Sequence, residues 1–270
     1  MNALDAAFTA ARREGRGVLM PYLTAGYPAR EGFVDLAVAI LDAGGDALEI
    51  GIPFSDPLLD GVSIQGSNQA ALEQGVTPAD CLAYARAIHQ RSNKPLLLMG
   101  AYNPIYAYGV ARFYREAAEA GVSALIVPDV PLEEQEDLAT GAAETGLHLI
   151  QLVAPTSSDE RLARVAARAS GFLYCISVAG VTGARSGGVA ETARPLVARV
   201  RALTEVPLAV GFGIAGPAQA QEVAGFADGV IVASRLVDLL RETPAGDRMR
   251  VATDFIRSLR DALQHPAVAG

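Results

Sequence analysis

Eight short apolar runs recur along the chain, at residues 18–23, 47–52, 96–99, 124–127, 147–153, 172–177, 207–210 and 229–232, with helix-like segments between them. Several lack polar alternation, as strands do when both faces are covered in a parallel sheet. Strand and helix alternating eight times within 270 residues predict a (β/α)8 TIM barrel, with residues 1–270 as a single domain. The alternative is an open doubly wound sheet. No G-x-G-x-x-G follows the first strand, so nothing supports a dinucleotide fold.

Helix signals fill the intervals. Leu4, Ala7, Phe8 and Ala11 repeat at helical spacing and predict an extra N-terminal helix covering one end of the domain. Phe33 to Leu41 forms an apolar helix face ending near Gly44 and Gly45, and Thr77 before Pro78, with Asp80 behind, starts a helix that runs to about His89. Further helices are expected at 111–120, 133–145, from Ser158 to about Arg168, and at 191–203, 217–225, 236–240 and 249–263. Residues 264–270 are expected to be a frayed tail.

Composition excludes several functions. The chain is 51% hydrophobic and 19% charged, enough for a large core and too apolar for disorder. A formal net charge of -8, without clustered Lys and Arg, argues against nucleic acid and anionic membrane as partners. No run is long enough to span a membrane and the N-terminus lacks a secretory core, so a cytoplasmic location is expected. The three histidines, His89, His148 and His265, have no metal-ligand spacing, and Cys81 and Cys175 are expected to be buried thiols. The one lysine, Lys94, precedes the strand at 96–99, away from a site at the strands' C-terminal ends. A Schiff-base mechanism, or pyridoxal phosphate (PLP) held as an internal aldimine, would need a lysine in the site.

Barrel enzymes place their chemistry at the C-terminal ends of the strands. Those junctions carry Tyr22 and Thr24, then Glu49, Asp56 and Asp60, then Tyr102 and Asn103, and then Asp129. Tyr174 and Thr182 follow, then Gly211, Phe212 and Gly213, and finally Ser234. Glu49 interrupts an apolar strand, and burying a carboxylate without compensation costs several kcal/mol. It is either a core glutamate satisfied by an arginine or backbone amides, or a proton-transfer group. Asp60 has a comparable alternative, because Asp-Gly is a common turn pair. Gly-rich turns after the seventh and eighth strands suit a phosphate, since small residues let backbone N–H groups approach its oxygens.

The motifs are more specific than the pattern. LEIGIPFSDPLLDG at 48–61 with IQ at 64–65, PYLTAGYP at 21–28, YNPI at 102–105, GVTGAR at 180–185 and GFGI at 211–214 resemble the alpha subunit of tryptophan synthase in order and spacing. The resemblance covers almost the whole chain. It implies retro-aldol cleavage of indole-3-glycerol phosphate to indole and glyceraldehyde 3-phosphate. Glu49 would be the general acid/base, and Asp60 would stabilise positive charge at the indole N–H.

The resemblance also implies phosphate binding by backbone near Gly183, Gly213, Ala233 and Ser234, and a closing loop that carries Thr182. Tyr22, Leu98 to Tyr102, Val153, Tyr174 and Phe212 would line the indole pocket. The implied partner is a PLP-dependent beta subunit in an alpha2beta2 complex, facing Pro53 to Asp60 and the Asn103–Pro104 region, so the cofactor would belong to the partner and none to this chain. A stand-alone indole-releasing lyase, or a weakly active barrel that activates the beta subunit, are the alternatives. Leu59, Val62, Ala233 and Arg235 depart from the usual family residues. A Cβ at position 233 would be unfavourable if that residue required positive φ.

Overall fold

The computed structural model describes residues 2–57, 59–176, 188–211 and 213–264. Eight parallel strands close in sequence order, with β1 hydrogen-bonded to both β2 and β8. They are β1 (Val18–Thr24), β2 (Leu48–Gly51), β3 (Leu96–Met99), β4 (Val122–Ile126), β5 (His148–Val153), β6 (Leu173–Ile176), β7 (Leu208–Gly211) and β8 (Gly229–Val232). The barrel expected from the apolar runs is therefore the fold observed.

Twelve α-helices are found among the described residues. In chain order they are α1 (Ala3–Arg13), α2 (Phe33–Asp42), α3 (Val62–Glu73), α4 (Pro78–His89), α5 (Tyr102–Tyr108) and α6 (Val110–Glu119), then α7 (Glu136–Thr145), α8 (Asp159–Ala166), α9 (Val189–Arg201), α10 (Pro217–Ala224), α11 (Ser234–Glu242) and α12 (Arg248–Leu263). The start of α4 follows from its sequence: Thr77 and Asp80 form a reciprocal capping box around Pro78. Two helices, α3 and α5, were not expected. The single helix expected at 133–145 is instead a 3-10 turn at Leu132–Glu134 followed by α7. Of the tail expected at 264–270, residues 265–270 lie outside the described residues.

Strand alternation divides the core into two layers. Leu48, Ile50, Leu96, Leu98, Val210 and Val232 point outward into a shell shared with the helices. Ala47, Leu97, Ala124, Ile150, Ala209 and Ile231 fill the barrel, and Leu4, Phe8 and Ala11 of α1 join them. The N-terminal helix thus covers the N-terminal end of the barrel, with Phe8 against Phe172 at 5.7 Å between ring centroids.

That end is also locked by charge. Oδ2 of Asp46, just before β2, accepts from Arg16 at 2.9 Å, Arg260 at 2.7 Å and the Leu19 N–H at 2.9 Å. Lys94 Nζ donates nearby to the carbonyls of Leu41 and Gly45. The chain's one amine is thus tied at the end opposite the strands' C-termini. Cys81 and Cys175 are buried and free.

Candidate active site

Alternation decides which side chains reach the cavity. With Leu48 and Ile50 facing the helices, Glu49 must face the barrel interior, and it is 1% exposed. Its Oε2 is buried and has no hydrogen-bond partner among the described residues. Burial, reinforced by the Asp60 charge, pushes its carboxyl from 4.5 up to about 8. An arginine-paired core glutamate would shift the other way. Among the described residues no arginine or backbone amide meets its Oε2, as the core-residue alternative would require.

Asp60 is in a turn and also faces the cavity. Its N–H donates to the Pro57 carbonyl at 3.1 Å, and its own carbonyl accepts from Gln65 Nε2 at 2.8 Å. Its Oδ2 accepts from Asn68 Nδ2 at 3.0 Å. Burial raises the Asp60 carboxyl, and the bond from Asn68 works against that rise. The two carboxyls thus have different surroundings: Glu49 is buried, with Oε2 unpartnered among the described residues, while Asp60 is hydrogen-bonded. Asp56 is exposed and accepts from Ser55.

Both acids, with Tyr22, Tyr174 and Met99, line a cavity of about 220 Å³. A second cavity of about 390 Å³ shares Tyr22, Asp60 and Met99 as a wall and is faced by Ile52, Phe54 and Leu59. Both are mostly apolar, and the smaller one also carries Glu49, Ser234 and Arg235. Together they offer adjoining space for a charged end and a flat apolar end of one substrate.

Two tyrosines reach the floor because glycines make room for them. A Cβ at Gly51 would lie 2.0 Å from the Tyr22 hydroxyl, and one at Gly211 would lie 2.2 Å from that of Tyr174. Each tyrosine leans over the end of the next strand. Burial raises both phenols well above their usual range, so they stay neutral beside Glu49.

The turns expected to hold a phosphate follow β7 and β8. Gly213 has φ +79°, where a side chain would be strained, and lines the smaller cavity with Ala233, Ser234 and Arg235. Ser234 opens α11, so the N-terminus of a nine-residue helix meets that cavity. Ala233 has φ -119°, so its Cβ carries no left-handed strain. Arg235 approaches Glu242 at 3.5 Å. Asp238, which would repel an anion, pairs with Arg241 at 2.7 Å.

Not every expected residue reaches the pocket. Leu98 and Val153 lie in the helix-facing shell, because alternation turns Leu98 away from Leu97 and Met99, and Val153 away from Leu152. Neither lines the two cavities. Tyr102 starts α5, its N–H held by both oxygens of Asp129 at 3.0 Å and its ring against Tyr106, and it lines neither cavity. Thr182, Gly183 and Phe212 lie outside the described residues. Asn68, Gln65 and Ser67, all on α3, bear on the site without having been singled out for it. The spacing of Ile64, Asn68 and Ala71 was the available signal.

A closed parallel barrel with a buried carboxyl facing a cavity at the strands' C-terminal ends has the architecture of a TIM-barrel enzyme. A family model for the tryptophan synthase alpha chain matches residues 8–264. A tryptophan synthase alpha chain from Chloroflexus aurantiacus is 47% identical over 267 residues, covering 98% of this chain and 100% of that one. One from Streptomyces avermitilis is 46% identical over 237 residues, covering 88% and 85%. A crystal structure of tryptophan synthase from M. tuberculosis in its aminoacrylate-bound form superposes with a TM-score of 0.88 at 35% identity, covering 97% of this chain and 100% of that one. This chain belongs to the tryptophan synthase alpha chain family. It is a lyase of the alpha reaction, the cleavage of indole-3-glycerol phosphate.

Among the described residues no group of His, Cys, Asp and Glu could hold a metal ion, and no helix is long and apolar enough to cross a membrane.

Proposed function

We propose that this chain cleaves indole-3-glycerol phosphate with Glu49 as its proton-transfer group and Asp60 as its electrostatic partner. The observation that carries this reading is the buried Glu49 carboxyl, its Oε2 unpartnered among the described residues and its pKa raised to about 8, beside a hydrogen-bonded Asp60. At neutral pH Glu49 holds a proton. It gives that proton to the ring carbon bearing the glycerol chain, and positive charge develops at the ring nitrogen. The Asp60 carboxylate meets that charge. The carbon–carbon bond then breaks, its electron pair returns to the ring as indole, and the side-chain hydroxyl becomes the aldehyde of glyceraldehyde 3-phosphate. The hydroxyl proton passes to the Glu49 carboxylate, which restores the starting state. One carboxyl serves both transfers only if its pKa lies near the working pH.

The phosphate is assigned to Gly213, Ala233, Ser234 and the N-terminus of α11, with Gly183 and Thr182 expected to act from the neighbouring loop. Tyr22 and Tyr174, which line the cavity, are assigned to substrate contact, with Phe212 expected beside them. Asp60→Asn is expected to lower kcat about 100-fold or more, with a thermal midpoint close to that of the parent. Steady-state indole release and a melting curve measure both. A variant that melts early with kcat intact would make Asp60 a turn residue only.

The assigned partner is a PLP-dependent beta subunit, which supplies the cofactor chemistry when bound. Leu59, in the loop before α3, and Val62, the first residue of α3, support it: they are 54% and 82% exposed beside the cavity mouth. Val62→Asp puts a charge into that patch at the first turn of α3, which holds no acid of its own and where one is favourable to the helix. Basal indole release is expected to stay within about twofold, and affinity for the beta subunit to fall about tenfold or more, as for a charge buried without a partner. Titrating alpha into beta while following both activities measures this. Unchanged stimulation would remove the patch from the interface.

A further inference from the structure

Between Asp60 and Asn68, one short segment fixes the Asp60 backbone, its carboxylate and the helix that carries both restraints. Gln65 holds the Asp60 carbonyl and Asn68 holds its Oδ2. The helix itself is clipped to the barrel. Ser67 Oγ donates to the Ile64 carbonyl at 2.9 Å, so its short contact with Thr24 Oγ1, at 2.6 Å, uses the threonine proton. Thr24 then accepts from the Tyr22 hydroxyl at 3.2 Å. A directed hydroxyl chain thus runs from Tyr22, on the cavity wall, into α3.

Asn68 is 3% exposed. Its Nδ2 must face Asp60, since a carboxylate only accepts. Its Oδ1 is buried and has no partner among the described residues. A leucine at such a position would pack without an unmet acceptor, so the amide serves something other than folding.

We propose that Asn68 is a positioning residue for the alpha reaction: its amide grips one Asp60 oxygen and leaves the other turned toward the cavity, where the substrate's positive charge develops. This rests on the reading that Asp60 acts on the substrate. The hydroxyl chain from Tyr22 sets the depth of α3, and Asn68 sets the rotation of the carboxylate. The exposed loop before α3 is thereby joined to the site through one helix.

The test uses Asn68→Ala and the near-isosteric Asn68→Leu, each alone and with Asp60→Asn, in steady-state assays with indole-3-glycerol phosphate. Carbon NMR of labelled aspartate follows the Asp60 titration in the single variants. The titratable and charged groups facing it are Tyr22, Asp56 and Asp129 in one cavity and Glu49, Tyr174, Arg235 and Asp238 in the other. The single variants are expected to lose about 10- to 100-fold in kcat, the range for one hydrogen bond to a charged group, with KM within about threefold. The Asp60 midpoint should move up, and in the Asp60→Asn background the further loss should shrink to about twofold. Normal kcat, a change in KM alone, an unmoved Asp60 midpoint, or full additivity with Asp60→Asn would each overturn the proposal. If Asp60→Asn alone keeps full turnover, the failure lies in the Asp60 reading; if Asp60→Asn is impaired and the Asn68 variants are normal, only the positioning role fails.

Discussion

Glu49→Gln is expected to abolish indole release, by at least about 1,000-fold in kcat, and to leave binding of glycerol 3-phosphate within about twofold. Glutamine nearly matches the protonated carboxyl in size, so a side chain that is neutral at pH 7 is replaced by another neutral one. Ala47, Leu48 and Ile50 around it are fully buried and need not move. What disappears is the exchangeable proton. No second acid stands in the same place: Asp60 is held by Asn68, and Tyr22 and Tyr174 are pushed up too far to titrate. The proposed phosphate end, at Gly213 and Ser234, is built on different strands. Single-turnover indole release and calorimetry with glycerol 3-phosphate measure the two effects separately. Substantial turnover in the variant would remove Glu49 from the proton path, and weakened phosphate binding would give it a structural role.

How much of this could be read from the residues depended on what each element uses to hold itself. The strands were legible because a parallel barrel covers both faces and writes its strands as apolar runs. Helices with strong starts were also legible, as Thr77, Pro78 and Asp80 show. By contrast, α3 opens on Gly61 and contains Gly66, Ser63, Ser67 and Asn68, all poor helix formers, and its stability comes from contacts with β1 and Asp60. Similarly, α5 hides behind Tyr-Asn-Pro, with Pro104 tolerated in the first turn and Asp129, distant in sequence, holding its first N–H.

The site divides along the same line. Pattern alone left Glu49 between core and catalytic readings, and Asp60 between turn and catalytic ones; the family resemblance assigned their roles. The structure adds geometry that neither source contained. Asp60 is a turn residue and a cavity residue at once, because its backbone satisfies the turn while its carboxylate is held by α3. Leu98 and Val153 were drawn toward the pocket by lying near its residues in sequence, but period-two alternation sends them outward. Asn68 carried no motif of its own. Its significance depends on a helix that its own segment's propensities conceal.

The same Glu49 carboxyl predicts a pH dependence of stability. Wild-type protein is expected to lose stability between about pH 5 and 8, and Glu49→Gln to remove most of that slope. The carboxyl moves from 4.5 to about 8 on folding, chiefly through burial and secondly through the Asp60 charge. Below 4.5 it is protonated in both folded and unfolded chains and adds no slope. Between the two values the folded chain keeps a proton that the unfolded chain releases, so raising the pH favours unfolding. Above 8 both states are ionised and the deficit is constant. The full effect is about 1.4 kcal/mol per pH unit, or on the order of 3–5 kcal/mol across the window. Asp60, also raised by burial, acts in the same direction. Asp80 and Glu133, lowered by their hydrogen bonds and nearby arginines, act in the opposite direction but below the window. Urea unfolding of both proteins at pH 5.5, 6.5 and 7.5 should show the variant gaining on wild type at each step. Parallel curves would mean that Glu49 is already ionised at neutral pH. It would then lack the proton that the first step of the cleavage requires, so a stability measurement made without substrate bears directly on the mechanism.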